Sequence, residues 1–290
     1  MYTKEALRAL GATMSLSPAQ ISQLDDSGYV IVEGAIGKAD AKRMAEEFER
    51  LHAAEAKTGG AEVHVEPGAR RLSNIFNKST VFDPLLSIPS ALAVAHHLLG
   101  EIKVHGANVR DPVKGYGQQQ LHADVPKKFA DDWWVVNAMI LFDDMTMDNG
   151  PTRVVPGSHR WAPVNISVVN QGDWEPSPLS PEDAARVPAD LLAPYPGEVH
   201  ITAPAGSAVI MNASGWHAGT LKKSDAPRRL IHLSFTRRDL PQQLVQLDHV
   251  TQGLYERMSP AQRYLLEIEP PANGDGVLRH PKREHKTWWN

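Results

Sequence analysis

The chain has 290 residues, of which 42% are hydrophobic and 22% are charged, the balance of an ordinary folded protein with a sizeable core. A formal net charge of −4 and a pI near 6.3 argue against nucleic acid or an anionic membrane as a partner. Cysteine is absent, which excludes disulfides, thiolate metal sites and a cysteine nucleophile. Residues 1–15 lack the apolar stretch of a signal peptide, and no run of 18 apolar residues occurs, so a cytoplasmic protein without a membrane span is expected.

The first hundred residues are predicted to be mainly helical. Ser17-Pro18 is a typical helix start, with a capping side chain followed by proline at the first helical position. The run Tyr29–Val32 is typical of a buried strand. Apolar residues at helical spacing predict a helix from Lys38 to roughly Ala56, and a further helix is predicted from Phe82 to Leu99.

From Ile102 onward the pattern changes to short apolar runs separated by Gly, Pro, Asn and Asp. Seven such runs favour an antiparallel sandwich or barrel over a parallel α/β sheet, and we therefore predict a mainly β fold. The whole chain is predicted to be one domain, with a helical part at about 1–100, a β core at about 101–240 and a C-terminal extension at about 241–290. The candidate strands are Ile102–Val109, Gln118–His122, Val135–Phe142, Arg153–Val155, Val199–Thr202, Ala208–Met211 and Leu230–Thr236.

Three segments are expected to be loops or irregular structure. The stretch from Trp161 to Pro196 is rich in Pro and Ser and too long for a hairpin turn, as lids and binding loops often are. Together with Lys127–Trp134 it is where substrate specificity is expected to lie. The tail after Ser259 carries several prolines and ends in Trp288-Trp289-Asn290, and we expect it to pack in a partly irregular way.

The most informative pattern is His122-Ala123-Asp124, followed by His217 and then by Arg228 eleven residues later. Residues i and i+2 of an extended segment point to the same side, so His122 and Asp124 can reach one metal ion. Two imidazoles and one carboxylate are the set that holds non-haem Fe(II) and leaves coordination positions open. Arg228 adds a permanently charged, planar group that suits a carboxylate.

Three ordered blocks carry a resemblance to a known family. They are Gly117–Asp124 (GQQQLHAD), Asn149–His159 (NGPTRVVPGSH) and Gly215–Gly219 (GWHAG) with Arg228 eleven residues after the histidine. This set resembles the phytanoyl-CoA dioxygenase family of Fe(II)- and 2-oxoglutarate-dependent oxygenases, over about residues 17 to 238. The family often has P-N-x-S after the third block, where this chain has Thr220–Ser224 (TLKKS) instead.

The resemblance implies a double-stranded β-helix, or jelly roll, with the N-terminal helices packed outside. It implies that Fe(II), 2-oxoglutarate and O2 take part, and that succinate and CO2 are released as a small organic substrate is oxidised. Because an aspartate occupies position 124, rather than Ala or Gly, hydroxylation is favoured over halogenation. The Q-x-L-H-x-D and N-G-x-T variants resemble oxygenases of specialised metabolism more than one that acts on an acyl-CoA. The resemblance implies that the iron ligands are His122, Asp124 and His217. It also implies that Arg228 binds the distal carboxylate of 2-oxoglutarate and that Gln119 and Thr152 help to hold this co-substrate.

The aromatic residues near these blocks have two interpretations. Trp133 and Trp134 follow the first block, and Trp216 immediately precedes the third-block histidine. They can line an apolar substrate pocket, as ligand sites favour. They can equally be core anchors at the starts of strands.

Other residues of the same types are interpreted as structural. His159 ends a P-G-S-H turn and is expected to have no ligand role. His64-Val65-Glu66 repeats the spacing of histidine and acid, but it lies between glycine-containing turns without a partnering block, so we interpret it as coincidence. Arg229 is expected to point away from Arg228 and to form a surface ion pair.

Two other functions remain open at this point. One is a catalytically silent jelly-roll binding protein that keeps the metal site, which release of succinate without substrate would argue against. The other is a cupin-type isomerase or hydrolase that uses Zn or Mn as a Lewis acid. Arg228 disfavours the second, since that chemistry needs no group for a dicarboxylate. A homodimer is possible on this sequence.

Overall fold

The computed structural model describes residues 1–14, 16–166 and 179–269. Within these ranges the strands form two antiparallel sheets. The larger sheet has the order β1-β7-β4-β9-β3-β2, and the smaller has the order β6-β5-β8. The strands are β1 (Tyr29–Val32), β2 (Ala69–Leu72), β3 (Ile102–Pro112), β4 (Val135–Leu141), β5 (Thr152–Val154), β6 (Val199–His200), β7 (Ala208–Asn212), β8 (His217–Gly219) and β9 (Leu230–Arg237).

Helices cover the outer face of the larger sheet and come mainly from the two ends of the described chain. Short 3-10 helices occur at Ala56–Thr58, Thr80–Ser87 and Ser158–Arg160. No single helix among the described residues is long and apolar enough to cross a membrane. The bent pair Thr80–Ser87 and Pro89–Leu99 would be long and apolar enough only if both pieces are counted together. The α-helices are α1 (Thr3–Ala9), α2 (Pro18–Ser27), α3 (Lys38–Glu55), α4 (Ile75–Lys78), α5 (Pro89–Leu99), α6 (Pro181–Arg186), α7 (Gln246–His249), α8 (Gln252–Arg257) and α9 (Pro260–Leu266).

The larger sheet is buried on both faces, which explains the continuous apolar runs in its sequence. Every residue of β3 and β4 is buried. On β9, Ile231, Leu233 and Phe235 belong to the large core that includes residues of α3 and α5. Leu230 packs instead in a second cluster with Val154 of the smaller sheet. One face of the larger sheet therefore packs against helices and the other faces the interior between the sheets.

This architecture confirms the predicted mainly β jelly roll with flanking helices, and it places several element boundaries close to the prediction. The helix predicted from Lys38 is α3, and its buried residues are the apolar positions that predicted it. The helix that starts after Ser17 has a capping box with Gln20 and ends at Gly28, whose φ of +80° is in the left-handed region.

Two predicted elements need correction. The helix expected over Phe82–Leu99 is divided into a 3-10 helix, Thr80–Ser87, and α5. Pro84 lies inside the first piece and Pro89 begins the second, and a proline ring cannot continue the hydrogen-bond ladder of the preceding turn. Gln118–His122 is not a strand, since its only β pairing is the isolated bridge between His122 and His217.

The described part of the C-terminal extension is more regular than expected. It forms α7, α8 and α9, and α9 begins at Pro260 behind a Ser259 capping box. The Tyr264 hydroxyl donates to Glu101 at 2.8 Å, so α9 is tied to the start of β3. The predicted Trp288-Trp289-Asn290 terminus lies outside the described residues, as do residues 167–178 of the long excursion.

Candidate active site

His122, Asp124 and His217 come together at one point between the two sheets. One ligand atom from each lies within 4.8 Å of the other two. The Nε2 atoms of His122 and His217 lie 3.5 Å from the two Asp124 carboxylate oxygens, one on each oxygen. Within the parts of the chain that the structure describes, no other group of three such side chains meets this criterion, His64 and Glu66 included.

The backbone brings the two histidines to face each other. The His122 N–H donates to the His217 carbonyl at 3.0 Å, and the His217 N–H donates to the His122 carbonyl at 2.9 Å. The Asp124 N–H donates to the Ala213 carbonyl at 2.9 Å, just before β8. This local pairing puts a residue that is distant in sequence beside the H-x-D segment, as the predicted metal site requires.

The same segment sets the tautomer of each imidazole. Nδ1 of His122 lies 2.8 Å from the Gln120 carbonyl, and Nδ1 of His217 lies 2.9 Å from the Gly215 carbonyl. A carbonyl oxygen can only accept, so each Nδ1 carries a proton, and in the neutral imidazole each Nε2 keeps its lone pair. Both lone pairs are then available to a metal ion, and the outer hydrogen bonds hold the rings in orientation.

The Asp124 carboxylate is held by a relay of two polar side chains. Asn137 on β4 donates from Nδ2 to Asp124 Oδ2 at 2.5 Å, and Ser234 on β9 donates to Asn137 Oδ1 at 2.5 Å. Although burial opposes ionisation, the nearby His217 and His122 hold the pKa of Asp124 well below its ordinary value. Burial also lowers the pKa of His217. An ionised carboxylate and a neutral imidazole are the forms that bind a metal ion.

Arg228 is a buried cation without a side-chain partner. It is 2% exposed, and its Nε and Nη2 atoms have no hydrogen-bond partner among the described residues. Burial, reinforced by the neighbouring charge of Arg110, lowers the pKa of Arg228 to about 9. Arg228 lies two residues before Leu230, whose side chain is in the interior between the sheets, so extended backbone points both to that interior.

The next residue, Arg229, points the other way, as predicted. It binds Asp143 through Nε at 2.8 Å and Nη2 at 2.6 Å, and it contacts Glu49 of α3 at 3.0 Å. Adjacent arginines therefore differ sharply in their surroundings, because Arg229 is neutralised by two carboxylates on the helical side. A buried guanidinium such as Arg228 normally has an anionic partner, so its orphaned nitrogens indicate a site for a carboxylate ligand.

Gln119 and Thr152 lie on either side of β8. The Gln119 side-chain oxygen accepts from the Gly219 N–H at 2.9 Å. Thr152 pairs with Gly219 across the smaller sheet, and its hydroxyl contacts the sulfur of Met139 at 3.7 Å. The structure therefore brings both predicted residues to the strand that carries His217, on the interior side of the molecule.

The tryptophans pack in different places, and two are core residues. Trp216 is 1% exposed, donates from Nε1 to the Ala162 carbonyl at 2.9 Å, and packs edge-on against Trp161 and Tyr195. Its neighbour His217 points to the opposite side, because alternate residues of a strand face opposite ways. Of the two interpretations of Trp216, this packing favours the core anchor.

Trp134 and Trp133 are likewise tied to the protein itself. Trp134 is 9% exposed and donates to Asp132 at 2.6 Å. Trp133 packs against the ring of His159 at 5.6 Å, and the Lys127 ammonium lies 5.5 Å from its ring centroid. The packing of Trp133 against His159 agrees with the structural role predicted for that histidine.

The sequence interpretation missed Asn137, Ser234 and Glu66. Asn137 and Ser234 are opposite each other in the β4–β9 register, which brings the relay to Asp124. Glu66 belongs to the loop interpreted as a coincidence, and it binds Arg71 at 2.6 Å and Arg110 at 2.8 Å. Among the described residues this loop joins no cluster of three ligand-type side chains, and the Glu66 carboxylate pairs with two arginines instead.

Comparison with known proteins agrees with this geometry. The family model of phytanoyl-CoA dioxygenase matches residues 24–230. "Dioxygenase af480" of Aspergillus fumigatus is 26% identical over 267 residues, which are 88% of this chain and 78% of that protein. "Ectoine dioxygenase" of Bordetella bronchiseptica is 25% identical over 233 residues, covering 76% of this chain and 75% of that protein.

Two solved structures share the fold. HygX from Streptomyces hygroscopicus, with nickel and 2-oxoglutarate bound, has a TM-score of 0.59 at 18% identity and covers 79% of this chain and 90% of its own. EctD from S. alaskensis in its apo form has a TM-score of 0.59 at 20% identity and covers 77% of both chains. The family match and the three-ligand cluster together confirm the predicted Fe(II)- and 2-oxoglutarate-dependent dioxygenase. This chain belongs to the phytanoyl-CoA dioxygenase family.

Proposed function

We propose that His122, Asp124 and His217 are the iron ligands of this dioxygenase and that Arg228 binds the distal carboxylate of 2-oxoglutarate. The observation that carries this proposal is the buried guanidinium of Arg228, whose Nε and Nη2 atoms have no hydrogen-bond partner among the described residues. Arg228 lies on the interior side, just before β9, the strand that also carries Ser234 of the Asp124 relay. A dicarboxylate that chelates the metal at one end has its other carboxylate free for this cation. The charge-assisted pair would then form at a buried position, since Arg228 is 2% exposed.

The protein residues act by holding and orienting the reactants. Bound iron and 2-oxoglutarate supply the oxidation of an unactivated C–H bond, with release of succinate and CO2. The Gln120 and Gly215 carbonyls keep both imidazoles in the ligating tautomer, and Asn137 fixes the Asp124 carboxylate. We assign Gln119 and Thr152 to the support of the co-substrate, beside β8.

The proposed reaction is hydroxylation of a small organic substrate of specialised metabolism. Hydroxylation is preferred because Asp124 occupies a ligand position that halogenation would need to leave open. The similarity to an ectoine dioxygenase and to HygX, which has been solved with hygromycin B bound, supports a small molecule as the substrate class. We further propose that the described parts work as one catalytic domain in the cytoplasm, and a homodimer stays a prediction.

The competing functions are less well supported. A cupin-type isomerase or hydrolase has no use for a buried arginine whose Nε and Nη2 atoms have no hydrogen-bond partner among the described residues. A silent binding protein would bind Fe(II) and 2-oxoglutarate without turning the co-substrate over. Release of succinate in the presence of Fe(II), ascorbate and O2 separates the second alternative from the proposal.

Substitution of Arg228 tests the proposed co-substrate site directly. Arg228→Met should weaken 2-oxoglutarate binding by about 100-fold or more, since a buried charged hydrogen-bond pair is lost, while metal affinity changes little. Arg229→Met is the matched control, because Arg229 binds Asp143 and Glu49 on the helical side. Calorimetric titration of each metal-free variant with Ni(II) measures the metal affinity. Titration of the Ni(II)-loaded variant with 2-oxoglutarate measures the co-substrate affinity. Equal 2-oxoglutarate affinity in Arg228→Met and wild type would show that the role of Arg228 is wrong.

A further inference from the structure

We propose that Arg71 and Arg110 form a second anion site beside the metal centre, and that it binds a carboxylate of the substrate. The inference rests on the proposed function, because it assigns the substrate class of the same interior site. It concerns different cations from the one assigned to 2-oxoglutarate, so the two can be tested separately.

The sheet register places both arginines on the face that carries the metal site. Arg71 on β2 is directly opposite Arg110 on β3, and Arg110 is directly opposite Leu230 on β9. Directly opposite residues share a face of an antiparallel sheet, and Leu230 packs in the interior cluster with Met139. The charge of Arg110 accordingly acts on both His122 and Arg228.

Glu66 is the carboxylate that the two arginines share. Arg110 binds it through Nε at 2.8 Å and Nη2 at 2.5 Å, and Arg71 binds it through Nη1 at 2.6 Å. Arg71 and Arg110 are 8% and 5% exposed, and the Nε atom of Arg71 is buried without a hydrogen-bond partner among the described residues. Two guanidinium groups and one carboxylate leave one positive charge that has no ion-pair partner among the described residues.

The neighbouring carboxylate of Asp111 does not remove this excess charge. Asp111 binds Arg70 at 2.5 Å and Lys222 at 3.2 Å, and it also accepts from the Arg228 backbone. Asp111 is opposite Arg70 in the register, on the face away from Arg71. Buried charges in proteins are normally paired, so the excess on Arg71 and Arg110 indicates an anionic ligand.

The groups next to this anion site are neutral and can form hydrogen bonds. Asn108 is opposite His232 in the β3–β9 register, one interior position along from Arg110. Burial, with the charges of Arg110 and Arg71, lowers the pKa of His232 to about 3, so its imidazole is uncharged at neutral pH. The Asn108 side-chain oxygen is buried without a partner among the described residues and can accept a hydrogen bond.

These contacts define a substrate class. The substrate would carry one carboxylate for Arg71 and Arg110, and an N–H or O–H group for the Asn108 oxygen. Both recognition groups lie on β2 and β3, beside the cluster of metal ligands. A rigid small molecule held at these two points would present one C–H bond to the metal repeatedly, which is the positioning that selective oxidation needs.

A binding experiment with matched probes tests the inference. The protein is loaded with Ni(II) and 2-oxoglutarate and titrated calorimetrically with a panel of small cyclic and aromatic carboxylic acids, none of them 2-oxo acids, and with their primary amides. Loss of a buried charge pair predicts that some acids bind about tenfold or more tightly than their amides, and that Arg71→Met and Arg110→Met each abolish this preference. Arg257→Met is the control, since Arg257 pairs with Asp83 away from the site.

Glu66→Gln distinguishes binding from a purely structural ion pair. Removal of the shared carboxylate leaves more positive charge, so acids should bind this variant at least as tightly as they bind wild type. If Glu66→Gln weakens acid binding as the arginine variants do, the cluster only holds the loop in place and the proposal is wrong. It is also wrong if no acid binds more tightly than its amide, or if the preference survives both arginine substitutions. Failure of Ni(II) and 2-oxoglutarate to load would instead count against the proposed function.

Discussion

The Asp124 carboxylate depends on Asn137, which in turn depends on Ser234. Removing a group that orients a metal ligand typically lowers metal affinity by about 10- to 100-fold, and we expect this loss for Asn137→Ala. Ser234→Ala should lower the affinity in the same direction by a smaller factor. Competition between the protein and a chelator for Ni(II) measures the metal affinity of each variant without turnover.

The control for this prediction is Asn77→Ala. Asn77 also donates from its side-chain amide to a neighbour, Asn74, but lies in α4 outside the sheets. Its substitution should leave metal affinity unchanged. Wild-type Ni(II) affinity in Asn137→Ala would mean that the relay has no role in holding Asp124.

The cluster of His122, Asp124 and His217 could be predicted from the sequence, and the residues that support it could not. His122 and Asp124 are separated by one residue, and the third block with Arg228 has a fixed internal spacing, so local sequence contains the pattern. Asn137 reaches Asp124 only through the alignment of β4 with β9. Glu66 meets Arg71 and Arg110 through a loop whose path no local periodicity describes.

At the scale of elements, β8 is short and closely packed around Gly219. A side chain at this position would begin 2.5 Å from the Gly117 carbonyl and 2.9 Å from the Gln119 side-chain oxygen. Gly219→Ala should therefore displace Gln119 and lower the free energy of unfolding by about 1–3 kcal/mol, as overpacking does. Weaker 2-oxoglutarate binding should accompany the loss.

Gly253→Ala provides the comparison in urea unfolding and in 2-oxoglutarate titration. Gly253 lies in α8 with no atom within 4 Å of the added carbon. This substitution should raise stability by about 0.4–1 kcal/mol and leave co-substrate binding unchanged. Equal effects of the two substitutions would contradict the tight packing described for β8.

Strand and helix predictions succeeded where the periodic pattern was long. β3, β4, β9 and α3 were predicted nearly to their ends because many buried residues define each of them. β8 has three residues, too few for a pattern, although it carries His217. Gln118–His122 has a single apolar residue, Leu121, and its amides donate to different neighbours, with Leu121 bonded to Leu191 and His122 to His217.

Across the whole molecule, several buried histidines are kept neutral at the expense of acid stability. His159 is 4% exposed, and burial, together with Arg160 and Lys127, lowers its pKa to about 4. Below pH 6.5 the unfolded state binds the proton and the folded state does not, until the pH falls to about 4. The free energy of unfolding should therefore fall on acidification, by about 1.4 kcal/mol per pH unit for each such histidine.

His159→Gln isolates one of these contributions. Urea unfolding of the metal-free protein between pH 7 and pH 5 measures how the free energy of unfolding depends on pH. This dependence should be shallower in the variant, by about 1.4 kcal/mol per pH unit, the contribution of one histidine. Any change in packing shifts the free energy of unfolding by the same amount at every pH. It therefore leaves the slope of that free energy against pH unaffected. Identical slopes in wild type and His159→Gln would mean that His159 is protonated in the folded state as readily as in the unfolded one.

We propose that one interior site holds Fe(II) through His122, Asp124 and His217, and 2-oxoglutarate through Arg228. Anaerobic titration of the protein with Fe(II) and then 2-oxoglutarate detects this site by the weak visible charge-transfer band of the metal chelate. We predict a saturable band with one iron per chain in wild type, and none in His217→Ala at the same concentrations. A folded wild-type protein that shows no band, or a His217→Ala variant that keeps it, would contradict the account.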